Sequence, residues 1–230
     1  MISLVRYFSI LILCLLNFNT IYAFEKLYNF ENLELNPEKD ILFLDLDHTL
    51  MEPISYEGSD PWFRSLMAAA HPENREFVIE LYNTIQHKTD VRLTDQALAE
   101  LWIKWTTQRI PMIGLTARSL ALAETTHRQL QGLGINFLYE DNYHVAHPDF
   151  DIKDHIIFTA GSPKGLVLKR ILLQHPELLD KRIVFIDDSL HNLESVDNDL
   201  KNLGVRYDLY HYDESSKRYH QASCVRPAMF

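Results

Sequence analysis

The sequence predicts an α/β protein, with a doubly wound, mainly parallel sheet and a small helical cap inserted after the first core strand. Four short apolar runs, each followed by polar residues, have the continuous hydrophobic character of strands buried on both faces of a sheet. Segments with helical spacing alternate with these runs, as expected when helices cover both faces of a parallel sheet. The 230 residues suffice for one domain with an insertion.

The order of the core elements follows from apolar runs and helix signals. Core strands are predicted at residues 41–44, 110–115, 156–158 and 183–186, and an outer strand at residues 205–210. A helix is predicted from residues that fall at helical spacing, namely Leu120, Ala123, His127 and Leu130. Gly132 is placed to end this helix. A second helix is predicted at residues 165–174, before His175 and Pro176.

The stretch between the first two core strands differs from the rest, because it has helical signals and no convincing buried strand. Asp60 and Pro61 mark a helix start with proline at its first position. Residues 73–87 have helical spacing, and Thr94 and Asp95 precede a third helical run. We therefore predict a helical cap here.

The first 23 residues have the pattern of a cleaved secretory signal. Arg6 gives a weakly basic start, residues 7–16 are almost wholly apolar, and Ala23 is the small residue that a signal peptidase prefers before its cut. The apolar run is shorter than the roughly 20 residues of a membrane-spanning helix, although an uncleaved anchor is an alternative. We expect an exported protein, periplasmic or secreted, with a signal peptide at residues 1–23, an α/β core at 24–50 and 110–230, and the cap at 51–109.

The charge balance disfavours some classes of partner. Lys and Arg number 22 against 32 Asp and Glu, giving a formal net charge of -10. Such a balance argues against binding to nucleic acid or, after signal cleavage, to anionic membranes. An anionic small substrate would then need local positive charge, such as a metal ion. Two cysteines, Cys14 and Cys224, are too few for a disulfide framework.

Acidic side chains follow two of the predicted core strands. Asp45 and Asp47 come directly after the first strand, and Asp187 and Asp188 end the fourth. Acids at positions i and i+2 can point to the same side of the chain, and carboxylates that close repel unless a cation lies between them. Mg²⁺ is the natural candidate, because it prefers oxygen ligands and keeps positions open for water and phosphate. If the two strands are neighbours, these acids form one metal site.

Groups suited to an anion follow the other core strands. Thr116 and Ala117 offer a hydroxyl and a backbone N–H group where a helix starts, and Lys164 adds a positive charge at another helix start. Arg118, the next residue after Ala117, could touch a substrate or pair with a carboxylate on the surface. Metal, hydroxyl and ammonium together are what a phosphoryl group needs.

The order of these motifs resembles that of the haloacid dehalogenase-like (HAD) hydrolases over about residues 40–210. Four motifs match in sequence order: Asp45-x-Asp47-x-Thr49, then Thr116, then Lys164, then the pair Asp187 and Asp188. A second acid in the first motif resembles the phosphatase branch of the superfamily. Residues 114–119 and 157–161 resemble an exported bacterial group of HAD-type proteins.

The resemblance implies catalytic and phosphate-binding roles. Asp45 would be the nucleophile that forms an aspartyl-phosphate, and Asp47 would be the general acid and then the base. Thr116 and the Ala117 amide would hold the phosphoryl oxygens, and Lys164 would neutralise negative charge. We expect the phosphate's charge to raise the pKa of Asp47 in the complex and to give an acidic to neutral pH optimum.

The resemblance also implies a metal set, a cap and a reaction. Mg²⁺ would be bound by the Asp45 carboxylate, the Asp47 backbone carbonyl and Asp187, with Asp188 binding directly or through water. The cap would shape the substrate pocket, with candidates Trp62, Arg64, His71 and Arg92. The predicted function is an exported Mg²⁺-dependent phosphatase acting on a small phosphomonoester. A phosphotransferase of the same fold and a non-catalytic partner-binding protein are the alternatives.

Overall fold

A computed structural model describes residues 24–137 and 150–225 of the chain. The predicted signal peptide at residues 1–23 lies outside the described residues. Among the helices that the structure describes, none has both the length and the apolar character required to cross a bilayer.

A seven-stranded sheet and a separate two-stranded sheet contain the nine strands of the described ranges. Numbered along the chain, they are β1 (Phe24–Lys26), β2 (Asp40–Leu44), β3 (Met51–Pro53), β4 (Val91–Leu93), β5 (Met112–Thr116), β6 (Asp151–Lys153), β7 (Ile156–Phe158), β8 (Arg182–Asp187) and β9 (Arg206–His211). The large sheet has the order β1-β9-β8-β2-β5-β7-β6, and every neighbouring pair is parallel except β6 with β7. The predicted fold class, a mainly parallel α/β sheet, is confirmed.

Helices cover both faces of the large sheet. In the described ranges they are α1 (Asp60–Ala69), α2 (Arg75–Gln86), α3 (Leu98–Thr107), α4 (Ala123–Gly132), α5 (Lys164–Gln174), α6 (Leu190–Leu200) and α7 (Glu214–Val225). Because strand side chains alternate, Leu42 and Leu44 of β2 pack in the core with α3 and α4, while Ile41 and Phe43 pack with α5 and α6. Burial on both sides explains the continuous apolar runs in the sequence.

The edges of the large sheet differ from the prediction. The strand predicted at residues 205–210 is β9, but it is not the outer strand, because β1 pairs with it along its far side. At the other edge β6 forms an antiparallel hairpin with β7, turning at Asp154 and His155, which both have positive φ. Both unpredicted strands have three residues, too few to show a hydrophobic period.

The segment between β2 and β5 contains helices α1 to α3, as predicted, and also the antiparallel pair β3–β4. The expectation that this stretch holds no buried strand was wrong, because all three residues of β3 are buried. A strand as short as β3, with Glu52 and Pro53 in it, has no apolar run to reveal it. Helix α1 begins where predicted, and the Ser59 hydroxyl accepts a hydrogen bond from the Trp62 N–H at 3.3 Å. The proposed cap boundaries, residues 51–109, stay a prediction.

Candidate active site

Three carboxylates converge at the carboxyl ends of β2 and β8. The two strands are parallel neighbours, with Leu44 opposite Ile186, so the prediction that they adjoin is confirmed. Carboxylate oxygens of Asp45, Asp187 and Asp188 all lie within 4.8 Å of one another. This is the edge at which ligands bind in doubly wound sheets.

Lys164 lies between two members of this acidic cluster, which we define as Asp45, Asp187 and Asp188. Its Nζ atom is 2.5 Å from Asp45 Oδ1 and 2.7 Å from Asp187 Oδ2. Burial would lower the pKa of Lys164, but the charges of Asp187 and Asp45 raise it above the usual value, so the side chain is a buried ammonium. When all three acids are ionised, they and the ammonium together carry two formal negative charges, which fits an oxygen-bound divalent cation such as Mg²⁺.

Close contact between α5 and α6 brings Lys164 into the cluster. A Cβ atom on Gly165 would lie 2.0 Å from the backbone oxygen of Ser195, so only glycine allows this approach. The Gly165 N–H also donates to Ser195 Oγ at 3.1 Å. The start of α5, with Lys164 as its first residue, is thereby held against α6.

The loops after β5 and β7 are paired to each other through their backbones. The N–H groups of Thr159, Ala160 and Gly161 donate to carbonyls in the Thr116, Ala117 and Arg118 loop at 2.9 to 3.1 Å. Ala160 and Gly161 have positive φ values of 48° and 83°. This pairing joins the loop after β5 to the chain segment that leads into α5.

Asp45 is held by donors on both of its oxygens. Besides Lys164 on Oδ1, the Thr49 hydroxyl donates to Oδ2 at 2.8 Å. Burial raises the pKa of Asp45 to about 7; the charge of Lys164 opposes this rise, and repulsion from Asp187 adds to it. A bound cation would favour the carboxylate form.

Asp47 is placed apart from the acidic cluster, because its side chain pairs with Arg118. The guanidinium donates from Nε to Asp47 Oδ2 at 2.8 Å and from Nη2 to Oδ1 at 2.7 Å. Arg118 is buried and also donates from Nη1 to Thr126 Oγ1 at 2.9 Å and Gln129 Oε1 at 2.7 Å. The sequence left two possibilities for Arg118, contact with a substrate or an ion pair with a surface carboxylate. The structure shows an ion pair with Asp47, and the Arg118 side chain in it is buried.

This pair sets the charge state of Asp47 in the protein without substrate. Burial alone would raise the pKa of Asp47, but the charge and hydrogen bonds of Arg118 lower it below its ordinary value. Asp47 is therefore a carboxylate at neutral pH. The rise expected from a bound phosphate would act against this effect of Arg118.

Thr116 and Ala117 lie at the same edge of the sheet as the acidic cluster. Thr116 is the last residue of β5, which is the parallel neighbour of β2 on the side away from β8. Its side chain is buried, and Oγ1 accepts a hydrogen bond from the Arg118 N–H at 3.1 Å. Ala117 is exposed.

The two acids after β8 have partners that sequence reasoning missed. Asn192 Nδ2 lies 2.9 Å and 3.1 Å from the two oxygens of Asp187, and the Ser189 N–H donates to Oδ1 at 2.9 Å. The Ser216 hydroxyl, from α7, donates to Asp188 Oδ2. Burial raises the pKa of Asp188 well above its usual value, and repulsion from Asp187 adds to the rise. Asn192 is the third residue of the helix after the acids, a position that sequence reasoning could have flagged.

The four cap candidates fall in different surroundings. Trp62 stacks on Tyr82 of α2, with ring centroids 6.5 Å apart. Arg64 pairs with Asp60 at 3.1 Å on the surface, and Arg92 pairs with the buried Glu52 at 2.7 Å. His71 precedes a short 3₁₀ turn. Burial raises the pKa of Tyr82 well above its usual value, and the charge of Asp47 adds to this effect.

The sheet order and the position of the acidic cluster define an α/β protein with its candidate site at the carboxyl edge of a doubly wound sheet. The family model described as "Protein of unknown function (DUF2608)" matches residues 23–226, and the chain belongs to that family. No curated protein matches the sequence.

Two solved structures resemble the chain at low sequence identity. The class C acid phosphatase from Bacillus anthracis is 12% identical with a TM-score of 0.41, over 87% of this chain and 83% of that chain. The HAD domain of the effector protein Lem4 from Legionella pneumophila, an inactive mutant, is 14% identical with a TM-score of 0.38, over 81% of this chain and 92% of that chain.

Proposed function

We propose that the chain is a Mg²⁺-dependent phosphatase of the HAD type, which hydrolyses a small phosphomonoester through an aspartyl-phosphate on Asp45. The observation that carries this proposal is the convergence of Asp45, Asp187 and Asp188, with the ammonium of Lys164 bound between Asp45 and Asp187. A buried nucleophile beside a cation site and a fixed positive charge is suited to phosphoryl transfer, in which positioning and charge stabilisation are the main tasks of the protein.

The first step joins a carboxylate oxygen of Asp45 to phosphorus as the bond from phosphorus to the leaving alcohol breaks. Lys164 and Thr49 hold the Asp45 carboxylate in place during the attack. The Thr116 hydroxyl and the Ala117 amide bind the phosphoryl oxygens. A bound Mg²⁺, held by Asp45, Asp187, the Asp47 backbone carbonyl and, directly or through water, Asp188, would neutralise charge on those oxygens.

Asp47 moves the proton in both steps. It gives a proton to the leaving alcohol, and it then takes one from the water that attacks the aspartyl-phosphate. The Arg118 pair favours the carboxylate form, which is the form required in the second step. The negative charge of the bound phosphate favours the protonated form required in the first step.

The partners and location of the protein belong to the same proposal. The net charge of -10 supports a small phosphorylated substrate that is drawn in locally by the metal site, and it argues against nucleic acid. The N-terminal pattern supports export to a periplasm or beyond the cell, without stable membrane association after cleavage.

A panel of phosphomonoesters, assayed with Mg²⁺ and with a chelator, tests the proposal. We expect phosphate release that depends on Mg²⁺ and that falls by at least about 10³-fold in Asp45→Asn, because this change removes the nucleophile. Asp180→Asn is the matched control, since Asp180 is an exposed acid just before the opposite end of β8.

Two results would contradict the proposal. Turnover by Asp45→Asn equal to that of the unaltered protein would refute the assignment of Asp45 as the nucleophile. Turnover with the chelator equal to that with Mg²⁺ would refute the metal site. Product analysis with added alcohols separates a phosphatase from a phosphotransferase, because only the latter makes a new phosphoester.

A further inference from the structure

We propose that Ser216 of the C-terminal helix α7 is a positioning residue for Asp188, and that its hydroxyl sets the affinity of the acidic cluster for Mg²⁺. This inference rests on the metal site of the proposed function. The hydrogen bond from Ser216 Oγ to Asp188 Oδ2 joins residues 28 positions apart in the chain. It makes a helix outside the four sequence motifs part of the support of the site.

The other two acids of the cluster show why such a donor matters. Asp45 is oriented by Lys164 and Thr49, and Asp187 by Lys164, Ser189 and Asn192. A carboxylate held by outer hydrogen bonds presents its oxygens to a cation in a fixed direction. Ser216 supplies this restraint to Asp188, since its hydroxyl engages Oδ2 and limits rotation of the carboxylate.

Helix α7 is itself docked by buried polar contacts on both sides of Ser216. Ser215 Oγ donates to Glu52 Oε2 at 2.5 Å, and Arg218 Nη2 donates to the same oxygen at 2.8 Å. The Tyr219 hydroxyl donates to the Pro53 carbonyl. Glu52 is 1% exposed, so its contacts with α7 lie in the protein interior. They hold the first turns of α7 against β3.

A chain of hydrogen bonds also links this docking to the loop that carries Asp47. The Asp60 N–H donates to His48 Nε2 at 3.1 Å, so in the neutral ring Nδ1 carries the hydrogen. Nδ1 then donates to Ser215 Oγ at 2.9 Å, and the Ser215 hydroxyl donates onward to Glu52. Together with the contacts of Arg218 and Tyr219, these hydrogen bonds hold α7 against β3, so no single one of them determines its position.

The two adjacent serines therefore have separable roles. Ser215 docks the helix without touching the acidic cluster, whereas Ser216 contacts Asp188 directly. Loss of an outer hydrogen bond to a metal ligand commonly costs about 10- to 100-fold in metal affinity. The same loss at Ser215 should reduce thermal stability and leave metal affinity nearly unchanged.

Isothermal titration of the purified protein with Mg²⁺, without substrate, tests the proposal. We expect Ser216→Ala to raise the Kd for Mg²⁺ by about 10- to 100-fold. Ser216→Thr, which keeps the hydroxyl, should bind as the unaltered protein does. Ser215→Ala should melt at a lower temperature and keep its Kd within about threefold, because it lacks contact with the cluster.

Further variants and outcomes keep the test decisive. If Ser216→Ala does not fold, Ser216→Val against Ser216→Thr compares two side chains of equal shape, of which only the threonine can donate. Unchanged Mg²⁺ affinity in Ser216→Ala, or an equal loss in Ser215→Ala, would overturn the positioning role alone. An unaltered protein that binds no Mg²⁺ would overturn the metal site of the proposed function, and this inference with it.

Discussion

Replacement of Arg118 by lysine tests whether the geometry of the pair with Asp47 matters beyond its charge. The guanidinium meets both carboxylate oxygens, at 2.8 Å and 2.7 Å. A lysine ammonium is a point charge on a flexible stem and cannot reproduce this planar, two-point contact. Arg118→Lys therefore keeps the positive charge and removes one charge-assisted hydrogen bond from Asp47.

The size of the effect follows from that one hydrogen bond. A hydrogen bond to a charged group contributes about 1.5 to 3 kcal/mol. Since about 1.4 kcal/mol changes a rate tenfold, full expression of the loss in the transition state lowers kcat/KM by about 10- to 10²-fold. The lost contacts to Thr126 and Gln129 lower the melting temperature as well, so both quantities need to be measured.

The assay is steady-state hydrolysis of the best phosphomonoester of the panel, with Mg²⁺. Arg206→Lys is the control, because Arg206 is exposed at the start of β9, whereas the site lies at the carboxyl ends of the strands. Arg118→Lys with kcat/KM within twofold of the unaltered protein would refute the reasoning, since Asp47 would then need no fixed orientation.

Two further changes test the fold around the site. In urea unfolding, Gly165→Ala should destabilise the protein by about 3 kcal/mol, because its Cβ would meet the Ser195 carbonyl at 2.0 Å. The control Gly132→Ala, with open space around it, should not destabilise the protein. Equal effects of the two changes would contradict the close contact. Asp40→Asn should cost about 1 to 3 kcal/mol at pH 7, because Asp40 is buried and pairs with the partly exposed Arg182. Burial would raise the pKa of Asp40, but Arg182 lowers it overall, below the ordinary value of 3.8. The cost of Asp40→Asn should therefore shrink as the pH falls below 3.8 and through the lower pKa that Asp40 has in the folded protein. An equal cost at pH 7 and pH 3 would contradict this reasoning.

The central strands could be predicted because each is buried on both faces. β2, β5, β7 and β8 appear in the sequence as continuous apolar runs, and the polar residues after them mark one edge of the sheet. The strands that were missed have three residues each, either at the edges of the sheet or in the small sheet of the insertion. Their places depend on pairing partners distant in the chain, which no local pattern reveals.

Part of the candidate site could likewise be predicted from the sequence, and part of it could not. Asp45, Asp187, Asp188 and Lys164 could be placed together because parallel strands bring their carboxyl ends to one edge. The pairing of Arg118 with Asp47 spans 71 residues of sequence separation and requires the folded loops.

The support from helix α7 was also beyond local sequence patterns. Its contacts reach Glu52 and His48 across more than 160 residues of separation, and Asp188 through a single hydroxyl. Serine is common on protein surfaces, so Ser216 carries no sequence signal of its own.

The most direct test of the central claim is mass spectrometry of the protein quenched in acid during turnover of a phosphomonoester with Mg²⁺. The account predicts one phosphoryl group on the peptide that contains Asp45, and none on that peptide in Asp45→Asn. Steady hydrolysis with the phosphoryl group on another residue, or on none under conditions that trap the intermediate, would contradict it.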